Sequence, residues 1–359
     1  MQNISEIWSV YRIAALYIGA VIGAGFASGQ EILQFFIIFM DKGFWGIVLA
    51  TTLFSYLGGL VMFISVHVRS TNYTDIYRIT MGKIPGRLMD FLSLVMLPGG
   101  LVVMLAGGNA VFSEHLGLPG WLGTLLIALI TILVLSGGLK GVITANAALV
   151  PVKVVAILLI CSLSLLYSGE LSNLGSYSQP GTGNRVNWLW SSILYVSYNM
   201  VVPVAVLSSL GRTVSYREGV TGGALGGLLL GVVTGLVFYT GLNFYPEIIK
   251  YEVPLLYIAG QLGPVVKFVL GLLIWMAILT TAIADAHGFA SRFAQTNSRR
   301  YKNIGIAAVL LAVPLSSFKF SLLVRILYPL FGYVGLILLF GLMVVLPVTF
   351  IRRKFYKTV

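Results

Sequence analysis

Apolar residues run along this chain in long, unbroken stretches, and polar residues gather in short intervals between them. Ten such segments stand out, at about 9–39, 43–68, 87–113, 118–138, 142–168, 187–211, 217–244, 264–294, 303–318 and 326–351. An α-helix needs roughly 20 apolar residues to cross a bilayer, and these segments cluster around that length. The first and eighth are longer, so each is tilted, broken or extended beyond the bilayer. Barrel strands would alternate apolar and polar residues over about 10 positions, which these continuous runs do not. The pattern predicts an all-α polytopic membrane protein with ten transmembrane helices.

Composition removes the soluble alternatives. Hydrophobic residues make up 58% of the 359 positions and charged residues 9%, against roughly 25% charged in a soluble domain. The connections are too short for a separate domain, so residues 1–359 read as one transmembrane unit. The net charge of +12 does not point to nucleic acid, because the basic residues sit in loops between apolar runs. With a cytoplasmic N-terminus, the even connections and the C-terminus hold Arg69, Arg78, Lys83, Arg87, Lys140, Arg212, Arg217, Arg292, Arg299, Arg300, Lys302, Arg352, Arg353, Lys354 and Lys357. The other side holds Lys42, Arg185, Lys250, Lys267, Lys319 and Arg325. That excess places both termini in the cytoplasm, and an even helix count requires both ends on one side. Cys161 is the only cysteine, so no intrachain disulfide forms. The start MQNISEIWSV has no basic region or cleavage site, so the first helix is expected to be retained. The three histidines, His67, His115 and His287, have no metal-ligand spacing, and no nucleophile–base set is recognisable. An enzyme, a resident metal and a channel with a charge ring are not expected.

The segments divide into two halves, about 9–168 and 187–351, around the polar linker SGELSNLGSYSQPGTGNRVN. Five is odd, so the second half enters the membrane upside down. Such inverted repeats are the usual plan of secondary transporters, with substrate held at the repeat interface. The first segment of each half is also interrupted. Segment one carries Gly19, Gly23, Gly25 and Gly29, followed by Gln30 and Glu31. Segment six carries Tyr195-Val-Ser-Tyr198-Asn199 before Pro203, which cannot donate to the residue four before it. Matching breaks in two halves point to a binding site. Segment seven uses glycine differently: Gly223, Gly227, Gly231 and Gly235 form one small-residue packing stripe.

The run Gly-Ala-Val-Ile-Gly-Ala-Gly-Phe-Ala-Ser-Gly-Gln-Glu at 19–31 resembles the start of the YkvI-like bacterial membrane proteins. These look like a branch of the amino acid–polyamine–organocation superfamily, which shares the ten-helix fold of the bacterial sodium-coupled leucine transporter. The resemblance covers the whole chain in layout and is carried by motifs in segments one, five, six and eight. It implies a transporter of the bacterial cytoplasmic membrane, working by alternating access. In that fold an ion lies between helices one and eight. Gly19 and Ile22 match the helix-one carbonyls, and Ala277, Thr280 and Thr281 match the helix-eight carbonyl and tandem hydroxyls. Five such oxygens suit a hard cation; the plain alternative is hydroxyls bonded to the preceding turn.

Lys153 complicates a sodium reading. It lies about twelve residues into segment five, roughly 18 Å along a helix and near the bilayer midplane, where a lysine is costly and marks function. In sodium-independent members of the superfamily a helix-five lysine puts its ammonium where sodium would bind, and Lys153 looks like that residue. The expectation is proton-linked, sodium-independent transport, with a sodium-coupled symporter as the alternative and no other cofactor.

The breaks define the substrate site. Amides freed at Gly23, Ala24 and Gly25 suit a carboxylate. Carbonyls freed near Val196, Ser197 and Tyr198 would accept from an ammonium. Together they describe a small amino acid or related amine. Tyr198 and Asn199 are candidates for its side-chain pocket, and Tyr198 for a lid. Gly107, Gly108 and Asn109 leave room beside it, unless Asn109 bonds a neighbouring helix. Arg12 lies about 10 Å below Gly19 and Asp285 about 8 Å below Thr280, so the pair could close the inner path; alternatively Asp285 takes a proton from Lys153, with His287 as a relay. Glu31 and Arg325 are candidates for the outer gate. This departs from the leucine transporter, which has the two charges the other way round, with Gly29 in place of its helix-one arginine. A ligand sensor without transport, as proposed for the membrane subunits of spore germinant receptors, is the remaining alternative.

Overall fold

The computed structural model describes residues 2–70, 76–77, 83–137, 140–167, 187–294 and 298–345. The inter-repeat linker up to residue 186, the basic C-terminal tail, Arg78 and Arg185 lie outside them. Among the described residues every regular element is helical. The first apolar segment becomes α1 (Gln2–Val21), α2 (Ala24–Ser28) and α3 (Gln30–Phe35). Then come α4 (Asp41–His67), α5 (Lys83–Val111), α6 (Gly120–Gly137) and α7 (Lys140–Tyr167). The second half holds α8 (Trp188–Asn199), α9 (Val201–Ser208), α10 (Tyr216–Asn243), α11 (Pro254–Leu262), α12 (Pro264–Phe293), α13 (Arg299–Leu315) and α14 (Phe320–Phe340).

Six of the described stretches, 41–67, 94–116, 188–208, 216–243, 264–293 and 320–343, are long and apolar enough to cross a membrane. Shorter apolar helices occur at 30–39, 120–136 and 151–166. The protein is therefore an all-α polytopic membrane protein. Helix α11 was not anticipated: at nine residues it is too short to span, and it begins with Pro254 at a first-turn position where a missing N–H is harmless.

Glycines set the tightest packing. α10, opened by a reciprocal Ser215–Glu218 capping box, lies along α4 on one face and α1 on another. A Cβ on Gly223 would fall 2.4 Å from the Gly58 carbonyl oxygen, one on Gly227 2.3 Å from the Ser55 nitrogen, and one on Gly231 2.0 Å from Thr51 Oγ1. Gly222 and Gly226 meet Ile13 and Tyr17 of α1. The predicted stripe thus packs α10 on α4 at three of its four positions. Gly235, the fourth, faces open space.

Candidate functional site

The break in the first segment lies between α1 and α2. The Gly23 amide turns back to the Val21 carbonyl at 2.7 Å, so the Gly19 carbonyl loses the amide four residues on that would occupy it in a helix. A second interruption follows at Gly29, whose φ of +81° is a left-handed conformation that favours glycine. A Cβ there would also lie 2.9 Å from Leu255 of α11. Ser28 stabilises the turn: its Oγ donates to the Gly25 carbonyl at 2.7 Å and accepts the Gln30 amide at 3.2 Å.

The sixth segment is interrupted more narrowly, at Met200 alone. The Val196 carbonyl still accepts the Met200 amide at 2.9 Å, so it is not freed as the sequence suggested. Pro203 withholds a donor from Asn199 instead. Ser197 faces helix α14, donating to the Gly332 carbonyl at 2.7 Å as well as to Leu194 at 2.8 Å. The Asn199 side chain donates to the Tyr195 carbonyl at 3.1 Å. Two contacts bring the breaks together. Tyr17, fully buried, donates to the Phe54 carbonyl at 2.9 Å and meets Met200 Sδ at 3.1 Å. Tyr198 donates to a Glu31 carboxylate oxygen across the two interrupted segments.

Glu31 is 4% exposed and reaches back over Gly25, where a Cβ would fall 2.2 Å from its Oε1 and 2.8 Å from Tyr328 Oη. The Phe26 amide and the Asn199 side chain also lie within reach of its carboxylate. The Gly23 amide is therefore not free as the sequence suggested, being bonded to the Val21 carbonyl, and the amide that meets the Glu31 carboxylate is that of Phe26. Arg325 is exposed and forms no ion pair with Glu31; the ion pair found among the described residues is Lys250–Glu247, 2.5 Å apart on the surface.

On α12, the Thr280 and Thr281 hydroxyls both donate to the Ala277 carbonyl, at 3.0 and 2.9 Å. This is the local bonding that tandem threonines favour; the hydroxyl oxygens keep lone pairs for a further partner. Ile22 and Ala277 are fully buried and Thr280 is 6% exposed. Lys153, 3% exposed, sits on α7, which packs against α12 and α1, and forms no hydrogen bond or ion pair among the described residues. Asp285 lies over Gly100 of α5, its Oδ2 2.6 Å from where a Cβ would stand. Arg12 is exposed and unpaired with Asp285 in this structure. His287 pairs through Nδ1 with the Tyr301 hydroxyl at 2.7 Å and so bonds to α13 rather than to Asp285. Asn109 faces α6, its Oδ1 lying over Gly120, as a helix-to-helix contact.

A further set of groups was not read from the sequence. Glu114, in the π-helical turn Phe112–Leu116 that follows α5, accepts the Glu252 and Val253 amides at 2.6 and 3.1 Å. Glu252 in turn accepts the Ser321 amide at 2.6 Å, which ties α5, the stretch before α11 and the start of α14 together. A cavity of about 350 Å³ bordered by Glu114, Tyr251, Tyr257 and Lys267 lies beside this latch. At the opposite end a cavity of about 700 Å³ is bordered by Val66, Arg69, Gly211 and Arg212, with Arg212 Nε donating to the Arg69 carbonyl at 2.9 Å. No signal in the sequence pairs Glu114 with backbone amides more than a hundred residues away. Among the described residues no cluster of His, Cys, Asp and Glu could hold a metal ion.

This architecture is shared with solved transporters. MhsT in complex with L-phenylalanine is similar with a TM-score of 0.60 at 15% identity, over 91% of this chain and 88% of that one. A Na⁺-coupled sialic acid symporter gives 0.58 at 11% identity, over 92% and 78%. A mutant form of the Eremococcus coleocola manganese transporter gives 0.55 at 15%, over 93% and 77%. The chain shares the fold of these transporters. No family model matches the sequence. YkvI, an uncharacterized membrane protein of Bacillus subtilis strain 168, is 30% identical over 329 residues, 91% of this chain and 93% of its own length. YyaD of the same strain is 32% identical over 329 residues, 90% and 93% of the two lengths. The chain belongs to the YkvI family of bacterial multi-pass membrane proteins.

Proposed function

We propose that the protein is a secondary active transporter of the bacterial cytoplasmic membrane that moves a small amino acid or related amine by alternating access. Residues 1–359 act as one domain of ten transmembrane helices in a five-plus-five inverted repeat, with both termini in the cytoplasm. The observation that carries this reading is the meeting of the two interrupted segments, through Tyr17 with Met200 and Tyr198 with Glu31. Backbone broken at membrane depth is tolerated only where protein or a cavity surrounds it, and an interface of two such breaks is where transporters hold substrate. The binding of L-phenylalanine by MhsT supports an amino acid as one cargo class. Arg12 and Asp285 serve as an inner gate that pairs in another state of the cycle.

Two couplings compete. A proton-linked cycle is supported by Lys153, an amine buried without a hydrogen bond or ion pair among the described residues. A sodium-coupled cycle is favoured by the Na⁺-coupled symporter of the same fold and by the oxygens at Gly19, Ile22, Ala277, Thr280 and Thr281. Purified protein in liposomes, loaded with an amino acid and amine panel under an imposed sodium or pH gradient, separates them. Accumulation driven by one gradient and indifferent to the other identifies the ion. Saturable binding without flux or exchange under any gradient would replace the transporter with a ligand sensor.

A further inference from the structure

We propose that Glu31, walled by Tyr198 and Tyr328, is the recognition site for an organic ammonium, so that the positive end of the cargo is met by a side-chain carboxylate. The inference deepens the transporter reading and rests on the binding site which that reading places between the breaks, not on flux.

Three observations support it. The first is the placement of the carboxylate. The left-handed turn at Gly29 folds α3 back on α2, so Glu31 Oε1 stands over Gly25 and the side chain lies at the interruption rather than on the outer surface. The second is the missing countercharge. At 4% exposure the carboxylate is out of solvent, and its partners are all neutral: the Tyr198 hydroxyl, the Asn199 side chain and the Phe26 amide. Arg325 is exposed, and neither it nor Lys153 forms an ion pair with Glu31 among the described residues. A buried anion without a cation is strongly disfavoured; such a group is relieved either by its own proton or by a cation from outside, and an arriving ammonium displaces that proton to solvent.

The third observation is the wall. The Tyr198 ring centre lies 5.2 Å from Tyr328, 5.8 Å from Tyr195 and 5.7 Å from Phe35. Tyr198 meets the carboxylate through its hydroxyl and Tyr328 sets its own hydroxyl over Gly25, and an ammonium seated among these rings would gain the attraction of their quadrupoles. A hard divalent cation would need six or more oxygen ligands, which one carboxylate and two hydroxyls do not supply. A substrate carboxylate is disfavoured at the same place. It would meet the Glu31 carboxylate itself, whose Oε1 lies 2.2 Å from where an added carbon on Gly25 would stand.

The full-length protein in lipid nanodiscs decides this, titrated calorimetrically at one pH with n-butylamine, L-norvaline and butyrate. These share a chain and differ in which end is charged. The two ammonium compounds are expected to bind and butyrate is not. Glu31→Gln should weaken ammonium binding about thirtyfold or more, the scale for removing one partner of a buried charge pair, while Glu31→Asp recovers part of it. If Glu31→Gln does not stay folded and monodisperse, Tyr328→Leu takes its place, with a loss of several-fold expected from the missing ring face. Binding of butyrate, absence of binding by both ammonium probes, or unchanged affinity in the folded variant overturns the proposal. Ammonium binding that needs Glu31 without any flux in liposomes would overturn transport and leave this assignment standing. Flux of norvaline that survives Glu31→Gln would overturn this assignment alone.

Discussion

At the scale of single residues, the proposed coupling and recognition rest on a buried amine and a buried carboxylate. Lys153 is 3% exposed on α7, which packs against the helices carrying Gly19, Ile22, Thr280 and Thr281. A sodium ion and a protonated amine cannot share one small cavity, since two unit charges ~4 Å apart repel by about 4 kcal/mol at an effective dielectric near 20. If Lys153 supplies the cation, Lys153→Ala abolishes accumulation driven by a pH gradient while the protein stays folded. Uptake by wild type that requires sodium and ignores pH would show that the amine stays out of the ion cavity. The burial of Lys153 was legible in the sequence because the residue lies deep in an apolar run. The partner of Glu31 was not legible. By chain position it matched Arg325 as an outer gate, but the left-handed Gly29 rotates it inward onto Tyr198, and that rotation is a backbone event without a side-chain signature.

Among the elements, the pairing of α10 with α4 shows how far a small-residue pattern can be trusted. Gly227 has no room for a side chain: a Cβ would lie 2.3 Å from the Ser55 nitrogen and 2.4 Å from the Phe54 carbonyl carbon. These are backbone atoms that cannot rotate away. Gly227→Val should therefore cost at least the roughly 1–3 kcal/mol of ordinary overpacking, seen as a lower unfolding temperature or loss of monodisperse protein. Gly235→Val, where nothing lies within 4 Å, is the internal control, expected to change stability by no more than a few tenths of a kcal/mol, on the favourable side because valine has the higher helix propensity. Equal losses at both positions would show that the stripe does not set the packing. The every-fourth spacing predicted the face correctly because close helix approach depends on side-chain volume, which sequence reports directly. Spacing could not tell which end of the stripe runs out of partner. Helix α11 was missed for a related reason: its nine residues fail the length test for a span, and its contact with Gly29 joins segments more than two hundred residues apart.

For the whole molecule, the two ends of the bundle are held differently. At the predicted outer end, Glu114 and Glu252 link α5, the approach to α11 and α14 through backbone amides at 2.6 to 3.1 Å. At the predicted inner end, Arg12 is exposed and unpaired with Asp285. Alternating access requires that such ties be made on one side and released on the other, and a tie of modest strength suffices. Hydrogen bonds to a charged group contribute about 1.5–3 kcal/mol each, and about 1.4 kcal/mol already shifts a two-state population tenfold. Glu114→Ala removes two of these bonds and leaves the Glu252 link to Ser321 in place. It should loosen α11 and raise the rate at which a cysteine introduced at Gly260, on the rim of the 350 Å³ cavity, reacts with a membrane-impermeant maleimide from outside. A cysteine introduced at Arg212, on the rim of the opposite cavity, should react more slowly with the same reagent supplied from inside, because opening one end is linked to closing the other. Faster labelling at both ends would mean that Glu114 only stabilises the fold, and unchanged labelling at Gly260 would place the outer closure elsewhere than in this latch.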